Sequence, residues 1–570
     1  MNEIQQQPLD EIAENVAEPS LPEETKPPKQ QSVAKSAGIV SIAVMFSRLL
    51  GLVREMVFAR FFGAGFLFDA YQVAFTLPNV LRDLFAEGAL SAAAVKVFTE
   101  TEINEGEEAA NKLASLLFNV IAVVLSLVTL IGVIFSKQIV GIVAGSFSPE
   151  KAALTITMTQ IMFPFILLVA LAAIAMGILN TRGNFGVPAS ASTVFNVASI
   201  IAGLGFAYWL SGGHWEKPLD KNVIPDMPAQ WAIIGMAIGT LIGGAAQFFM
   251  QVPSLYKIGF RFSLAFNLAD EGLKKVMYLM APAIIGTSAV QINVLVNTFL
   301  VTHIDGGRSW VSYAFRLMQF PIGLFGVAVG TASVPALSRL AVKENLTEFR
   351  RTLTDSLKLV FLMTIPSACG LIVLGEPIIR LIYERGAFSS LDVSMTAWAL
   401  VGYSAGLLGY AGIKIVSPAF YALNDSKTPM TIALISIVVN AVAGYLFVRF
   451  MSNYDLGHVG ATMATSTVGL SNFFMLAILM RRKIKHLNGR EIISSFLRIG
   501  IASAIMSVAC WFSYQGLLKY FGNDGFMLRL IEAFVPIGIG GIFFFAAAKL
   551  LKVEEVDRVY RIFARKFGRT

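Results

Sequence analysis

FSRLLGLVREMVFARFFGAGFLFDAYQVAFTLPNVLRDLFAEGALSAAAVKVFTE, residues 46–100, is apolar enough to cross a bilayer twice, yet it carries Arg48, Arg54, Glu55, Arg60, Asp69, Arg82, Asp83 and Glu87. An Arg at the bilayer centre costs roughly 2.5–3.5 kcal/mol on insertion scales. Adjacent helices do not collect several such costs unless the charges have a use. Arg60 sits at a helix end beside Phe61, Phe62 and Gly63, where its long side chain reaches the interface by snorkelling. Arg48, Arg54 and Arg82 lie well inside their spans and point to a water-filled, cationic cavity in the membrane.

The whole chain agrees with a membrane solvent. Of its 570 residues 55% are hydrophobic and 14% charged, with a mean hydropathy of +0.67. These values exclude a soluble globular protein and define an all-α polytopic membrane class. Cys369 and Cys510 both fall in apolar spans, so neither a disulfide framework nor a metal cluster is implied. The four histidines are isolated near span ends, which argues against a metal site, and no cofactor is expected.

About fourteen stretches are long enough to span. Residues 1–35 are polar, with Pro-rich and acidic runs, and read as a disordered cytoplasmic tail. With both termini placed in the cytoplasm, most Lys and Arg fall on one face, above all in 339–358, 481–490 and 549–569. Lys151 and Arg308 then count as loop charges on the opposite face. The net charge of +8 thus reports membrane topology, and no nucleic-acid partner is expected.

An internal repeat organises the spans. YQVAFTLPNVLRDLFAEGALSAAAV (71–95) aligns with AFRLMQFPIGLFGVAVGTASVPALS (314–338), placing Pro78 on Pro321. Ile178-Leu179-Asn180 before Pro188 is echoed by Ala422-Leu423-Asn424 before Pro429. The simplest account is two six-helix lobes in parallel repeat, 36–253 and 254–485, around a central site. Helices thirteen and fourteen (486–551) are an appendage, followed by a basic cytoplasmic tail, 552–570.

Helical rise places Arg48, Arg82 and Arg316 roughly 10–25 Å inside their spans, within reach of one cavity. Arginine suits phosphates because its planar fork donates paired hydrogen bonds, so several forks in a wet cavity suit a pyrophosphate. Pro78 is expected to bend or unwind its helix. Glu55, Asp69 and Glu87 either hold the cations when the anion is absent or form gates that break on opening. The gates, Asp69 at one end and Glu87 at the other, are expected to be partly hydrated ion pairs weak enough to break.

The segments FSRLLGLVRE (46–55), ARFFGAG (59–65) and DAYQVAFTLPNVLRDLFAEGALSAAAV (69–95) resemble the signature of the lipid II flippase family MurJ (MviN), within the multidrug/oligosaccharidyl-lipid/polysaccharide exporter superfamily. The resemblance continues through SWVSYAFRLMQFPIGLFGVAVGTASVPALS (309–338) and IVSPAFYALNDSKTP (415–429). It implies translocation of an undecaprenyl-pyrophosphate-linked peptidoglycan precursor, lipid II, across the bacterial cytoplasmic (inner) membrane by alternating access. It also implies a lipid-tail groove at helices thirteen and fourteen, and no enzymatic activity. Cell-wall synthesis machinery is a candidate partner and a monomer is expected. The family's cavity arginines fall on Arg48, Arg54, Arg82 and Arg316, and its functional serine and acids on Ser47, Glu55, Asp69 and Glu87. Glu55 stands where many members have Asp. Some members carry a sodium-binding acid in the seventh helix, where this chain has Asn297.

The alternatives are a flippase for another polyprenyl-linked glycan, a drug exporter of the same superfamily, or a membrane glycosyl- or phosphotransferase. A drug exporter needs a more apolar or acidic pocket. A transferase needs an acid-rich metal-binding loop, and ETEINEGEE (100–108) has neither paired Asp nor His.

Overall fold

In the computed structural model, residues 33–85, 89–213, 224–522 and 525–557 are described, and within them every regular element is helical. The first set comprises α1 (Val33–Phe62), α2 (Phe66–Phe85), α3 (Ala89–Glu105), α4 (Glu107–Ile134), α5 (Ser136–Val143) and α6 (Pro149–Met162). It continues with α7 (Phe165–Thr181), α8 (Gly186–Leu210), α9 (Met227–Phe249) and α10 (Val252–Lys257). The second comprises α11 (Glu271–Val301), α12 (Gly307–Pro321), a π-turn at Ile322–Gly326, α13 (Val327–Val342), α14 (Leu346–Tyr383) and α15 (Ser390–Ser404). It ends with α16 (Leu407–Ala422), α17 (Lys427–Ser452) and α18 (Gly457–Lys483), after which come α19 (Gly489–Phe521) and α20 (Phe526–Leu550).

Eleven described helical segments are long and apolar enough to cross a membrane, and α15 with α16, bent by 40° at their junction, would make twelve. The opening helices are not among them. From Ile42 onward α1 holds Arg48, Arg54, Glu55 and Arg60, and α2 holds Asp69, Arg82 and Asp83. The very charges that suggest a cavity therefore lower the apolarity by which a span is recognised.

Local sequence sets the helix starts. Asp226 accepts from the Ala229 amide at 3.0 Å before α9, and Asp270 from the Leu273 amide at 3.0 Å before α11. Ser389 and Asp392 form a reciprocal capping box before α15. Packing then follows small residues. Gly235, Gly239 and Gly243 recur every fourth residue along α9 and lie against α8. A Cβ on Gly239 would run into the backbone of Gly203, so only glycine lets these helices touch main chain to main chain.

Helices α1–α4 and α6–α9 pack mainly on one another, and α12–α18 form a second assembly. Helix α11 joins the two, lying on α17 and α18 as well as on α2 and α3. Helices α19 and α20 pack on each other and on α14. The two prolines behave differently. Helix α2 runs through Pro78 without a break, against the expectation of unwinding, whereas Pro321 hands α12 into the π-turn. Two residues before Pro78 the Thr76 hydroxyl donates to the Gln72 carbonyl at 2.6 Å, while the carbonyl that Pro78 leaves without an amide donor is that of Ala74.

Candidate functional site

The short α1–α2 connection, Gly63–Gly65, occupies one end of the bundle, called here the turn end. Gly63 has φ +63° and its would-be Cβ meets the Ala387 carbonyl, so this turn is built for glycine. It fastens the first assembly to the second. The Arg60 carbonyl accepts from the Ala387 amide at 2.8 Å, and the Gly63 carbonyl from the Tyr313 hydroxyl at 3.0 Å. Phe58, Phe68, Tyr313 and Tyr383 are fully buried there, with Phe68 and Tyr383 each 4.8 Å from the Tyr313 ring.

Asp69, in the first turn of α2, is the polar centre of this end. It is 0% exposed. One oxygen accepts from the Ser309 amide (2.8 Å) and hydroxyl (2.6 Å); the other accepts from the Gly306 amide (2.9 Å) and the Lys151 ammonium (2.9 Å). Gly306 and Ser309 form the N-terminus of α12, where free amides and the helix dipole favour an anion. The expected weak, partly hydrated pair is thus replaced by a dry, four-bonded one. Four donors from α6 and α12 converge on one carboxylate and compensate its burial.

The acid–arginine cluster lies further along α1. Arg316 Nη2 is 2.9 Å from Glu55 Oε1, and Arg54 Nη2 is 3.7 Å from the same oxygen. The Glu55 and Arg54 side chains are 5% and 8% exposed, that of Arg316 38%. Arg54 Nε and Nη1 are buried without a hydrogen-bond partner among the protein atoms, as is Glu55 Oε2. The Arg54 guanidinium lies 5.2 Å from the Phe195 ring and 5.9 Å from that of Phe75. One carboxylate therefore holds two forks and saturates neither.

The other expected residues are distributed around this pair. Arg48 is exposed and makes no ion pair among the described residues. Its guanidinium occupies the place that a side chain at Gly323, in the π-turn, would take. Arg82 bonds to Asp83 Oδ1 through Nε (2.9 Å) and Nη2 (2.6 Å), and Asp83 Oδ2 accepts from Gln291 of α11 at 3.2 Å. Arg82 thus has its own carboxylate and does not share Glu55. Ser47 takes part through its carbonyl, which accepts from Asn196 at 3.2 Å. Glu87 lies outside the described residues. Asn297 donates to Thr465 of α18 at 3.0 Å.

Lys151 and Arg308 count in the sequence only as loop charges of one face. In the structure the Lys151 side chain is 4% exposed against Asp69, and Arg308 donates to Thr76 at 2.8 Å. Positive-inside counting assigns charge to a face but says nothing of burial. Ser309 and Gln291 have no sequence signature apart from lying in or near apolar spans. Helices α19 and α20 enclose a groove of about 710 Å³ lined by Ile505, Val508, Phe512, Ile539 and Phe543.

The family model described as lipid II flippase MurJ matches residues 58–531. A probable lipid II flippase MurJ of Vibrio cholerae is 33% identical over 537 residues, covering 92% of this chain and 97% of its own. The lipid II flippase MurJ of Burkholderia cenocepacia is 35% identical over 451 residues, covering 78% and 83%. A solved structure of lipid II flippase MurJ in an inward closed conformation matches with a TM-score of 0.70 at 29% identity, over 93% of this chain and 100% of that one. An inward-facing multidrug MATE transporter matches with a TM-score of 0.65 over 79% and 98%, at 14% identity, a likeness of fold alone.

The fold and the relatives together define a multi-pass membrane transporter of alternating-access architecture, a carrier rather than an enzyme. Within that class, the chain belongs to the lipid II flippase MurJ family.

Proposed function

We propose that this chain carries lipid II across the bacterial cytoplasmic membrane, with its pyrophosphate held by Arg48, Arg54, Arg82 and Arg316. The observation that carries this reading is the sharing of one Glu55 oxygen by Arg316 and Arg54, with two Arg54 nitrogens unpartnered. A buried guanidinium with free donors is costly unless a stronger acceptor arrives. A pyrophosphate, with more oxygens and more charge than a carboxylate, meets both forks bidentately and displaces Glu55.

In this reading both termini are cytoplasmic, and α1 and α2 complete fourteen spans in two six-helix lobes, 36–253 and 254–485. The turn end faces the periplasm, closed around Asp69, while Arg48 and Arg316 face the cytoplasmic side. Glu87 serves the opposite gate, and the α19–α20 groove receives the polyprenyl tail. The protein acts as a monomer beside the cell-wall synthesis machinery. Depleting it in cells and identifying the lipid-linked intermediate that accumulates tests the substrate. Lipid II is expected; accumulation of a different polyprenyl-linked glycan with normal lipid II turnover overturns the reading.

A further inference from the structure

At the end of the bundle opposite the turn end, two adjoining polar cavities lie among the first turns of α14, the α18–α19 connection and the segment after α20. One, of about 570 Å³, is lined by Arg490, Ser494, Ser495, Arg498 and Lys552. The other, of about 470 Å³, is lined by Arg350, Arg351, Thr354 and Asp355. They share Lys358, His486, Asn488, Glu491 and Glu554. Helices α19 and α20 meet the rest of the protein chiefly through α14, so this cleft is separate from the arginines around Glu55.

Two independent features mark the cleft as a binding site. Ser495 is 7% exposed and Thr354 1%, and the hydroxyl of each is buried without a partner, one in each cavity. Such groups are costly unless something bonds to them. The lining also carries both signs of charge. Lys358 is paired with Glu555 at 2.8 Å and lies 3.9 Å from Glu554. Arg490, Arg498 and Lys552 stand in the first cavity and Arg350 and Arg351 in the second, while Glu491 and Glu554 line both. Carboxylates flanked by cations match a ligand that carries both signs.

An apolar track leads away from the cleft. Ser494, Arg498, Ile501, Ile505, Val508 and Phe512 follow one another at intervals of three or four along a single face of α19. Its last three members line the groove with Ile539 and Phe543 of α20. From Ile501 to Phe512 the rise is about 16 Å, close to the roughly 15 Å of one leaflet's hydrocarbon. Basic pockets between membrane helices bind the phosphates of lipid head groups.

We infer that the cleft binds a zwitterionic aminophospholipid of the bilayer, its phosphate toward Arg498 and Lys552, its ammonium toward Glu491 and Glu554, and one acyl chain along α19. The acyl chain enters the α19–α20 groove when the substrate's polyprenyl tail is absent, so the two alternate there, while the headgroup cleft goes beyond the transport reading and does not depend on which substrate is carried.

The test uses the purified full chain and native mass spectrometry with phosphatidylethanolamine, phosphatidylcholine and phosphatidylglycerol of equal chain length. Phosphatidylethanolamine is expected to be retained about tenfold better than phosphatidylcholine, whose methylated nitrogen donates no hydrogen bond to Glu491 or Glu554. Phosphatidylglycerol, lacking the ammonium, should also bind less. Arg498→Ala should weaken retention of all three. Glu491→Gln combined with Glu554→Gln, both exposed and so harmless to folding, should abolish only the preference for phosphatidylethanolamine. Equal retention of the three lipids, an unchanged preference in the double Gln variant, or displacement of phosphatidylethanolamine by millimolar inorganic phosphate alone each overturns the inference. The last result would mark a soluble-phosphate site.

Discussion

Ser309 binds Asp69 twice, through its amide at 2.8 Å and its hydroxyl at 2.6 Å, and so ties the start of α12 to the start of α2. The two residues belong to assemblies that an alternating-access transporter must separate at this end. Ser309→Ala deletes one charge-assisted bond, worth about 1.5–3 kcal/mol. The expected result is a protein that still inserts but opens more readily at the turn end. Single cysteines placed near that mouth, in a background lacking Cys369 and Cys510, should label faster with an impermeant reagent applied from outside. Unchanged labelling would show that Ser309 does not hold the gate.

Asp69→Asn should shift labelling further in the same direction, because Lys151 then keeps only the longer, 3.5 Å contact to the exposed Asp305. Leaving one member of a buried pair wholly unmatched costs about 3–5 kcal/mol, and with Asp305 as a residual partner the fall in thermal stability should be smaller than that. Lys151→Met added to Asp69→Asn removes that charge. It should recover stability while the gate remains loose. Recovery of tight closure as well would mean that the network serves stability alone.

Glu55 competes with the substrate for the same forks. Glu55→Gln weakens its hold on Arg316 and Arg54, and the freed donors should bind a pyrophosphate-bearing ligand more tightly. Transport should nevertheless slow, since nothing then displaces the product. Measured together, the dissociation constant should drop while the rate falls. Parallel loss of binding and rate would assign Glu55 to substrate binding itself.

Gly323 lies where a side chain and the Arg48 guanidinium cannot coexist. Gly323→Ala should therefore displace Arg48 and impair complementation without preventing insertion. Gly326→Ala, whose Cβ would meet its nearest neighbour in Ala411 at 3.4 Å, serves as the mild control. Full activity of the first variant would remove Arg48's position from the argument.

Much of this site was legible in the sequence because buried charge is rare and conspicuous in apolar helices. Arg54, Glu55 and Arg316 stood out on that ground, and the structure brings them together. The pairing itself was not legible: Arg48 and Glu55 share a face of α1, yet Glu55 turns to Arg316 of α12, far along the chain. The Pro78–Pro321 alignment located two comparable helices but misplaced the irregularity, which falls at Pro321. Lys151 and Arg308 were hidden because a charge beside a span end looks the same whether it faces water or a buried carboxylate. The distinction depends on where α6 and α12 dock, a property of tertiary packing that no local pattern encodes.

The central claim is that Arg54 and Arg316 pass from Glu55 to the pyrophosphate of lipid II. Its most direct measurement is leaflet-to-leaflet transfer of lipid II in vesicles containing the purified protein, compared with Arg54→Ala, Arg316→Ala and Arg54→Lys. The account predicts loss of transfer in both Ala variants and poor rescue by Lys, whose point charge lacks the paired donors of a guanidinium. Transfer at the unsubstituted rate by both Ala variants would contradict it.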